Sequence, residues 1–188
     1  MIEPHRAAIL LDVDGPLNPY PSRDRPRPIG FRPYVVRHRI IAAIPPVEHR
    51  VSLNLELGPR LLDLAAESDA ELVWATAWQH EANRLLSPVL GLPALAVIGF
   101  EDTGFRHRDG HNGKLPAIAR WAGRRPFCWF DDEFQPDDQG WARRRSDSGA
   151  PTRLIAVDRY DGLQPAHLDT ARAFLRQLHT AIRPDTHR

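Results

Sequence analysis

Hydrophobic and polar positions alternate along this chain in short blocks, and the first apolar block ends abruptly. Five apolar residues, 7–11, are followed by Asp12, Val13, Asp14 and Gly15. An apolar run of this length that stops at turn residues predicts a buried strand with both acids at its carboxyl end. Ligands of open α/β sheets bind beyond the carboxyl ends of the strands, so we expect the two acids to face a crevice.

The rest of the chain repeats this alternation, with apolar runs separated by amphipathic segments. The pattern predicts four further strands, at residues 71–75, 95–98, 126–130 and 153–157. It predicts helices at residues 60–67, 79–87, 114–122 and 165–182. Strands that alternate with helices across short loops favour a mainly parallel sheet with helices on both faces. The predicted fold class is therefore α/β, with three layers and a five-stranded sheet.

A proline-rich and arginine-rich insert, at about residues 19–57, interrupts the pattern after the first strand. Its prolines predict a surface loop, and residues 34–44 and 50–55 predict a hairpin flap that turns at Pro45 and Pro46. Residues 20–60 contain eight arginines against three acids. This excess of positive charge favours an anionic substrate, although a solvated arginine-rich loop has the same composition.

Composition narrows the class of protein. A chain of 188 residues is long enough for one well-buried domain, and its net charge of +1 argues against a polybasic tail or an acidic disordered protein. Cys128 is the only cysteine, so an intrachain disulfide is impossible, which fits a reducing compartment. The apolar run before Asp12 is too short for a signal peptide or a membrane span. We expect one cytoplasmic domain over residues 1–188, without membrane association.

Polar residues with the potential for chemistry follow several of the predicted strands. Asp12 and Asp14 follow the first strand, Thr76 the second, and Asp131 and Asp132 the fourth. Carboxylates one residue apart repel each other unless a cation or a shared proton relieves the repulsion, and Mg²⁺ is the simplest such cation. An Asp-x-Asp-Gly sequence is also typical of a plain turn.

A calcium loop is excluded, because Arg23 occupies the position at which such a loop requires glutamate. Lys114 is the only lysine beside twenty-four arginines, and it precedes a predicted helix. A site that requires a compact ammonium group would explain why lysine is kept there, although chance would also place one lysine somewhere. Four polar features are thus expected at one edge of the sheet, and together they favour a common site: Asp12 with Asp14, Thr76, Lys114, and Asp131 with Asp132.

The four motifs LLDVDGPLN, LVWAT, the lysine of HNGKLPAIARW and CWFDDE resemble those of the haloacid dehalogenase (HAD) superfamily in order and spacing. The runs WATAWQHEAN and WFDDE resemble the small HAD domain of Swiss-army-knife RNA-repair proteins. The resemblance implies a Rossmann-like HAD fold with a small flap after the first strand. It implies a Mg²⁺-dependent phosphatase whose substrate is a phosphate ester, with nucleotides and RNA ends among the candidates.

The resemblance also implies a role for each matching residue. Asp12 would be the nucleophile and Asp14 the general acid and base. Asp12, the backbone carbonyl of Asp14, and Asp131 would hold Mg²⁺, with Asp132 as a further ligand or a residue that supports one. Thr76 and Lys114 would bind the oxygens of the phosphate. Pro16 departs from the family pattern, because threonine or valine is usual after the motif glycine.

The chemistry requires these residue types independently of the family. A carboxylate that attacks phosphorus forms an acyl phosphate and divides one difficult displacement into two easier steps. The attack brings an anion toward a phosphate, so a metal ion and a lysine are needed to neutralise the site. An acid that protonates the leaving oxygen favours a phosphate ester over a halide as substrate. An open site under a flap suits a bulky or polymeric ester better than a small metabolite.

Two alternatives remain open at this point. The chain could be a non-catalytic or partner-dependent module that binds RNA or another polyanion through the arginine-rich insert. It could also transfer a phosphoryl group to an acceptor other than water with the same residues. We interpret His107, Asp109 and His111 as solvated loop residues rather than a metal cluster. We expect the five tryptophans to pack in the core, and the run 143–145 to be an exposed helix end.

Overall fold

The computed structural model describes residues 6–38, 47–100 and 110–182 of the chain. Five strands form one sheet in the order β5-β4-β1-β6-β7, and every pairing within it is parallel. The five strands are β1 (Ala8–Leu11), β4 (Glu71–Trp74), β5 (Ala96–Val97), β6 (Phe127–Asp131) and β7 (Thr152–Ala156). The predicted mainly parallel five-stranded sheet is confirmed.

Helices cover both faces of this sheet and give it three layers. They are α1 (Leu57–Glu67), α2 (Ser87–Leu90), α3 (Leu115–Ala122), α4 (Pro136–Asp147) and α5 (Pro165–Ile182). Alternate residues of β1 enter two separate apolar clusters, with Ile9 and Leu11 in one and Ala8 and Leu10 in the other. This double burial explains why β1 is apolar throughout. No helix in the described ranges has both the length and the apolar character needed to cross a membrane.

The strand order places the polar motifs together. The chain adds β4 and β5 on one side of β1 and then returns to add β6 and β7 on the other side. The order of the sheet therefore reverses between β1 and β6, and such a reversal leaves a crevice beyond the carboxyl ends of the two strands. Asp12 and Asp131 lie at this point.

The insert contributes a second, two-stranded antiparallel sheet, with β2 at Arg32–His38 and β3 at Val47–Leu53. The predicted turn at Pro45 and Pro46 lies outside the described residues. Phe31, Val51 and Leu53 are buried in the same apolar cluster as the interior of the main domain. The hairpin is therefore packed against the core along one face.

Several boundaries differ from the expected ones. The helix predicted at residues 79–87 is a π-helical turn, Ala82–Leu86, that continues into α2. Only an end of helix α4 was expected, at residues 143–145, and its extent was not predicted, because Trp141 and Ala142 are the only apolar residues after Pro136 in its polar sequence. Its signal lies at the start, where Gln135 and Asp138 form a capping box around Pro136.

The expectation of an exposed helix end at residues 143–145 is wrong for Arg145. Its side chain is buried and donates hydrogen bonds to the carbonyls of Gly123, Arg125 and Ala150. Burial lowers the pKa of this guanidinium. Arg145 therefore joins the end of α4 to the loops around β6 and β7.

Candidate active site

Asp12 directly follows β1 and is buried, with 5% of its surface exposed. Its Oδ1 accepts a hydrogen bond from the backbone N–H of Val13 at 2.8 Å. Its Oδ2 accepts one from Nζ of Lys114 at 2.5 Å. The carboxylate is thus held in one orientation at the centre of the sheet edge.

Asp131 ends the neighbouring strand β6 and is fully buried. Its Oδ2 lies 2.6 Å from Nζ of Lys114, and its Oδ1 accepts the backbone N–H of Glu133 at 2.9 Å. The side-chain amide of Asn112 donates to the same Oδ1 at 3.1 Å. Lys114 therefore bridges two carboxylates that are far apart in the sequence.

Burial and charge shift the ionisation of this cluster. Burial is the main cause that raises the pKa of Asp12 to about 7, with a further rise from Asp131 and an opposing effect from Lys114. Burial also raises the pKa of Asp131 against the same lysine. For Lys114, burial acts to lower the pKa, but the two carboxylates outweigh it and the net shift is upward. When both carboxylates are ionised, the single ammonium leaves one negative charge uncompensated, and a further cation or a proton would relieve it.

Asp132 occupies the outer side of the same cluster. Burial and the charge of Asp12 raise its pKa to about 6, although Arg159 lies 2.9 Å from its Oδ2 and opposes the shift. Gly15 passes directly over this carboxyl group with φ of +88°, and a Cβ there would lie 2.5 Å from Cγ of Asp132. Only glycine fits this position.

The chemistry of these donors fits a divalent metal ion. One oxygen each from Asp12, Asp131 and Asp132 lies within 4.8 Å of the other two. Carboxylate oxygens are the ligands that Mg²⁺ prefers. The carboxylate of Asp14 contacts other residues, Asn18 and Trp78. The predicted contribution of its backbone carbonyl to the metal site stays a prediction.

Asp14 is partly exposed, and two residues fix its carboxylate. Trp78 donates from Nε1 to Oδ2 at 2.8 Å, and Asn18 donates from Nδ2 to Oδ1 at 2.7 Å. The carboxylate lines a cavity of about 280 Å³ that is also bordered by His49 and Arg50 of β3. Asp14 can therefore contact a molecule that enters this cavity.

Thr76 lies two residues after β4 and is fully buried. The preceding residue, Ala75, donates its N–H to the carbonyl of Leu11 at 2.8 Å, which continues the pairing with β1 beyond Trp74 and places Thr76 at the same sheet edge as Asp12. The hydroxyl of Thr76 lies 3.4 Å from the N–H of Trp78. The structure thus brings all six sequence-predicted residues to one edge, while their individual roles stay predictions.

Sequence reasoning missed a buried network behind Lys114. The side-chain oxygen of Asn112 accepts a hydrogen bond from the backbone N–H of Lys114 at 2.9 Å. The backbone N–H of Asn112 donates to the carboxylate of Asp138 at 3.1 Å. Asp138 is fully buried and also contacts Nδ1 of His111 at 2.9 Å. Asp138 therefore fixes the loop that carries Asn112 and Lys114. An Asn two residues before the lysine was the available signal, because such a residue often forms a local turn.

The expectation of a solvated His111 is wrong, because this residue is half-buried against Asp138. His107 and Asp109 lie outside the described residues. Packing is the role of Trp74 and Trp129, which are fully buried. Trp78 has a second role that sequence reasoning missed, since its indole N–H orients Asp14.

Comparison with known proteins agrees with this geometry. A family model described as the HAD domain in Swiss Army Knife RNA repair proteins matches residues 8–168, which include every residue of the site. Searches of the curated proteins and of the solved structures found no match. The family match covers most of the chain and confirms the Rossmann-like HAD fold. This chain belongs to the family of HAD domains found in Swiss Army Knife RNA repair proteins.

Proposed function

We propose that this protein is a Mg²⁺-dependent phosphohydrolase that acts through an aspartyl-phosphate on Asp12. The main support is the position of Lys114, whose Nζ lies 2.5 Å from Asp12 and 2.6 Å from Asp131. This contact places a fixed cation beside the proposed nucleophile, where the negative charge of a phosphate would need to be neutralised.

In the first step, a carboxylate oxygen of Asp12 attacks phosphorus, and the bond from phosphorus to the leaving oxygen breaks. Asp14 donates its proton to that oxygen, which leaves as an alcohol. The hydrogen bonds to Val13 and Lys114 orient Asp12, and those from Trp78 and Asn18 hold Asp14 at the cavity wall. Fixed partners of this kind reduce the reorganisation needed to reach the transition state.

In the second step, Asp14 takes a proton from water, and the water oxygen attacks the phosphorus of the aspartyl-phosphate. The bond from phosphorus to Asp12 breaks, inorganic phosphate leaves and the carboxylate is restored. Lys114 and Thr76 bind the phosphoryl oxygens in both steps. Asp12, Asp131, Asp132 and the backbone carbonyl of Asp14 would hold Mg²⁺, which when bound supplies positive charge against the phosphate.

The substrate we propose is a bulky phosphate ester, of which a nucleic-acid end is the leading candidate. The family description names RNA repair, and the cavity at Asp14 opens under an insert with a large excess of arginine. An anionic polymer would be attracted to such a surface.

Hydrolysis of p-nitrophenyl phosphate with Mg²⁺ tests this function. We expect activity in the natural protein and its loss in Asp12→Asn, while Asp63→Asn, a change at an exposed residue of α1, retains it. Unchanged turnover in Asp12→Asn would contradict the proposal. Adding glycerol as a competing acceptor separates hydrolysis from transfer, because a phosphotransferase would form glycerol phosphate in preference to inorganic phosphate.

A further inference from the structure

Two neighbouring cavities lie between the proposed catalytic acid and the insert. The cavity of about 280 Å³ at Asp14 shares Asn18, Arg50 and Val51 with a larger cavity of about 690 Å³. Asn18 also joins the two regions, since it donates to Asp14 and accepts the N–H of Ser52 at 2.7 Å. The two cavities are therefore neighbours, and the larger one is the next space available to a ligand that extends beyond Asp14.

The walls of the larger cavity are the proline-rich loop on one side and β3 on the other. Arg25 fixes the loop, because its guanidinium lies 3.3 Å from Asp158 and 3.5 Å from Asp161. The same guanidinium lies over the ring of Tyr160, 5.5 Å from its centroid. These contacts hold the proline-rich loop in place and thereby define one wall of the larger cavity.

Two arginines of this cavity, Arg27 and Arg50, are exposed and have no ion-pair partner within the described ranges. The acids of β3 and of the segment after it are already engaged. Glu48 pairs with Arg37 at 3.3 Å, and Glu56 pairs with Arg60 at 3.0 Å. The positive charge of Arg27 and Arg50 is therefore available to a ligand.

Ser52 is a further polar residue of the larger cavity. Ser52 lines the same cavity, and its buried Oγ has no hydrogen-bond partner in the part of the chain that the structure describes. Guanidinium groups bind phosphate oxygens in a bidentate manner, and the two non-bridging oxygens of a phosphodiester match such a pair of N–H donors. The chemistry of the cavity thus suits a phosphate diester.

We propose that the larger cavity is a second anion subsite that binds an internal phosphodiester of an oligonucleotide whose terminal phosphate lies at Asp12. This inference rests on the proposed function for the placement of the terminal phosphate. Cavities of roughly 300 to 1,000 Å³ hold complete organic ligands, so a volume of about 690 Å³ exceeds what one phosphate requires. Arg27 lines the larger cavity but not the cavity at Asp14, so it is the arginine that a ligand confined to Asp14 does not need.

The test is equilibrium binding of a fluorescent hexanucleotide, phosphorylated at the 5′ end or at the 3′ end, to the Asp12→Asn protein across a range of salt concentrations. Adding Arg27→Ala or Arg50→Ala to this protein is expected to weaken binding by about tenfold each, measured with whichever of the two hexanucleotides the Asp12→Asn protein binds more tightly. Each change should reduce the slope of log affinity against log salt by about 0.7, because one phosphate contact is lost. Arg50→Lys should retain most of the slope, since it keeps the charge.

Arg23→Ala is the matched control, because Arg23 is an exposed arginine of the same loop that does not line the cavity. We expect it to bind the hexanucleotide within twofold of its parent. Selectivity for the hexanucleotide over a nucleoside monophosphate should fall by about a hundredfold when both arginines are replaced.

Equal binding by the double variant and its parent would overturn the proposal. A hexaglutamate peptide that competes as well as the oligonucleotide would also overturn it and assign the cavity to an acidic protein segment. Binding does not require turnover, so failure of the proposed hydrolysis would appear separately, as absence of phosphate release by the natural protein.

Discussion

Nζ of Lys114 lies 2.5 Å from Oδ2 of Asp12, so the only lysine of the chain contacts the carboxylate at the end of the central strand. The two residues are 102 positions apart in the sequence. Their contact depends on the reversal of strand order beside β1 and on the loop that Asp138 holds in place. It links the fold directly to the proposed chemistry.

Replacing Lys114 is expected to affect both stability and catalysis. Lys114→Met leaves two buried carboxylates without their cation, and loss of one partner of a buried ion pair costs about 3 to 5 kcal/mol. We expect chemical denaturation in the absence of Mg²⁺ to show this loss. Lys114→Arg keeps the charge, but its larger planar group replaces a buried ammonium that lies within 2.6 Å of both carboxylates, so activity should still fall at least about a hundredfold. Full activity in Lys114→Arg would contradict a requirement for a compact ammonium.

Asp138 is expected to position the lysine loop. In Asp138→Ala, the carboxylate that accepts the N–H groups of Asn112 and Gln135 is removed, so both donors lose this partner. We expect kcat for an aryl phosphate to fall by about tenfold, with a smaller change in KM, because Lys114 is displaced. Asp137→Ala, at the exposed neighbouring residue, is the control and should be unaffected. Equal kinetics in the two variants would refute the positioning role.

Much of the sheet could be predicted, because β1 is buried on both faces and therefore apolar without interruption. Asp12 and Asp14 could be recognised as site residues because they directly follow this apolar run. Lys114 could be recognised because it is the single lysine of the chain. Helix α4 could not be predicted from periodicity, since its sequence is almost entirely polar. Without α4, the contact from Asp138 to Asn112 had no basis in the sequence, and neither had the burial of Arg145.

Gly15→Ala is expected to disturb the outer part of the proposed metal site. The added Cβ would meet Asp132 at 2.5 Å, and φ of +88° is strained for alanine. We expect a loss of about 1 to 3 kcal/mol in the free energy of unfolding and a higher Mg²⁺ concentration for half-maximal activity. Gly99→Ala is the control, because a Cβ there meets no atom within 4 Å. If Gly15→Ala requires no more Mg²⁺ than this control, Asp132 does not support the metal.

His167 is expected to make stability depend on pH. Its Nδ1 accepts the N–H of Gln164 at 2.9 Å at the start of α5, and burial lowers its pKa below the ordinary value of 6.5. As the pH falls, the unfolded chain therefore takes up a proton at His167 before the folded protein does. The stabilisation that comes from unprotonated His167 is complete above pH 6.5 and is lost as the pH falls through the folded pKa.

His167→Gln keeps an acceptor at this position but does not titrate. Urea unfolding of both proteins over a pH series measures the difference between them, which isolates His167 from the acids of the site. We expect the natural protein to lose stability relative to the variant below pH 6.5, by about 1.4 kcal/mol for each unit by which the pKa is lowered. A constant difference across the series would show that the pKa of His167 does not change on folding.

The central claim is that Asp12 becomes phosphorylated, and mass spectrometry of Asp14→Asn tests it most directly. The p-nitrophenolate group leaves without a proton, so the variant can still form the aspartyl-phosphate from p-nitrophenyl phosphate, but it lacks the base that activates water. After an acid quench during turnover with Mg²⁺, the tryptic peptide spanning residues 7–23 is predicted to be one phosphoryl group heavier, with the modification on Asp12. Release of p-nitrophenol while this peptide stays unmodified, or a phosphoryl group on any other residue, would contradict the account.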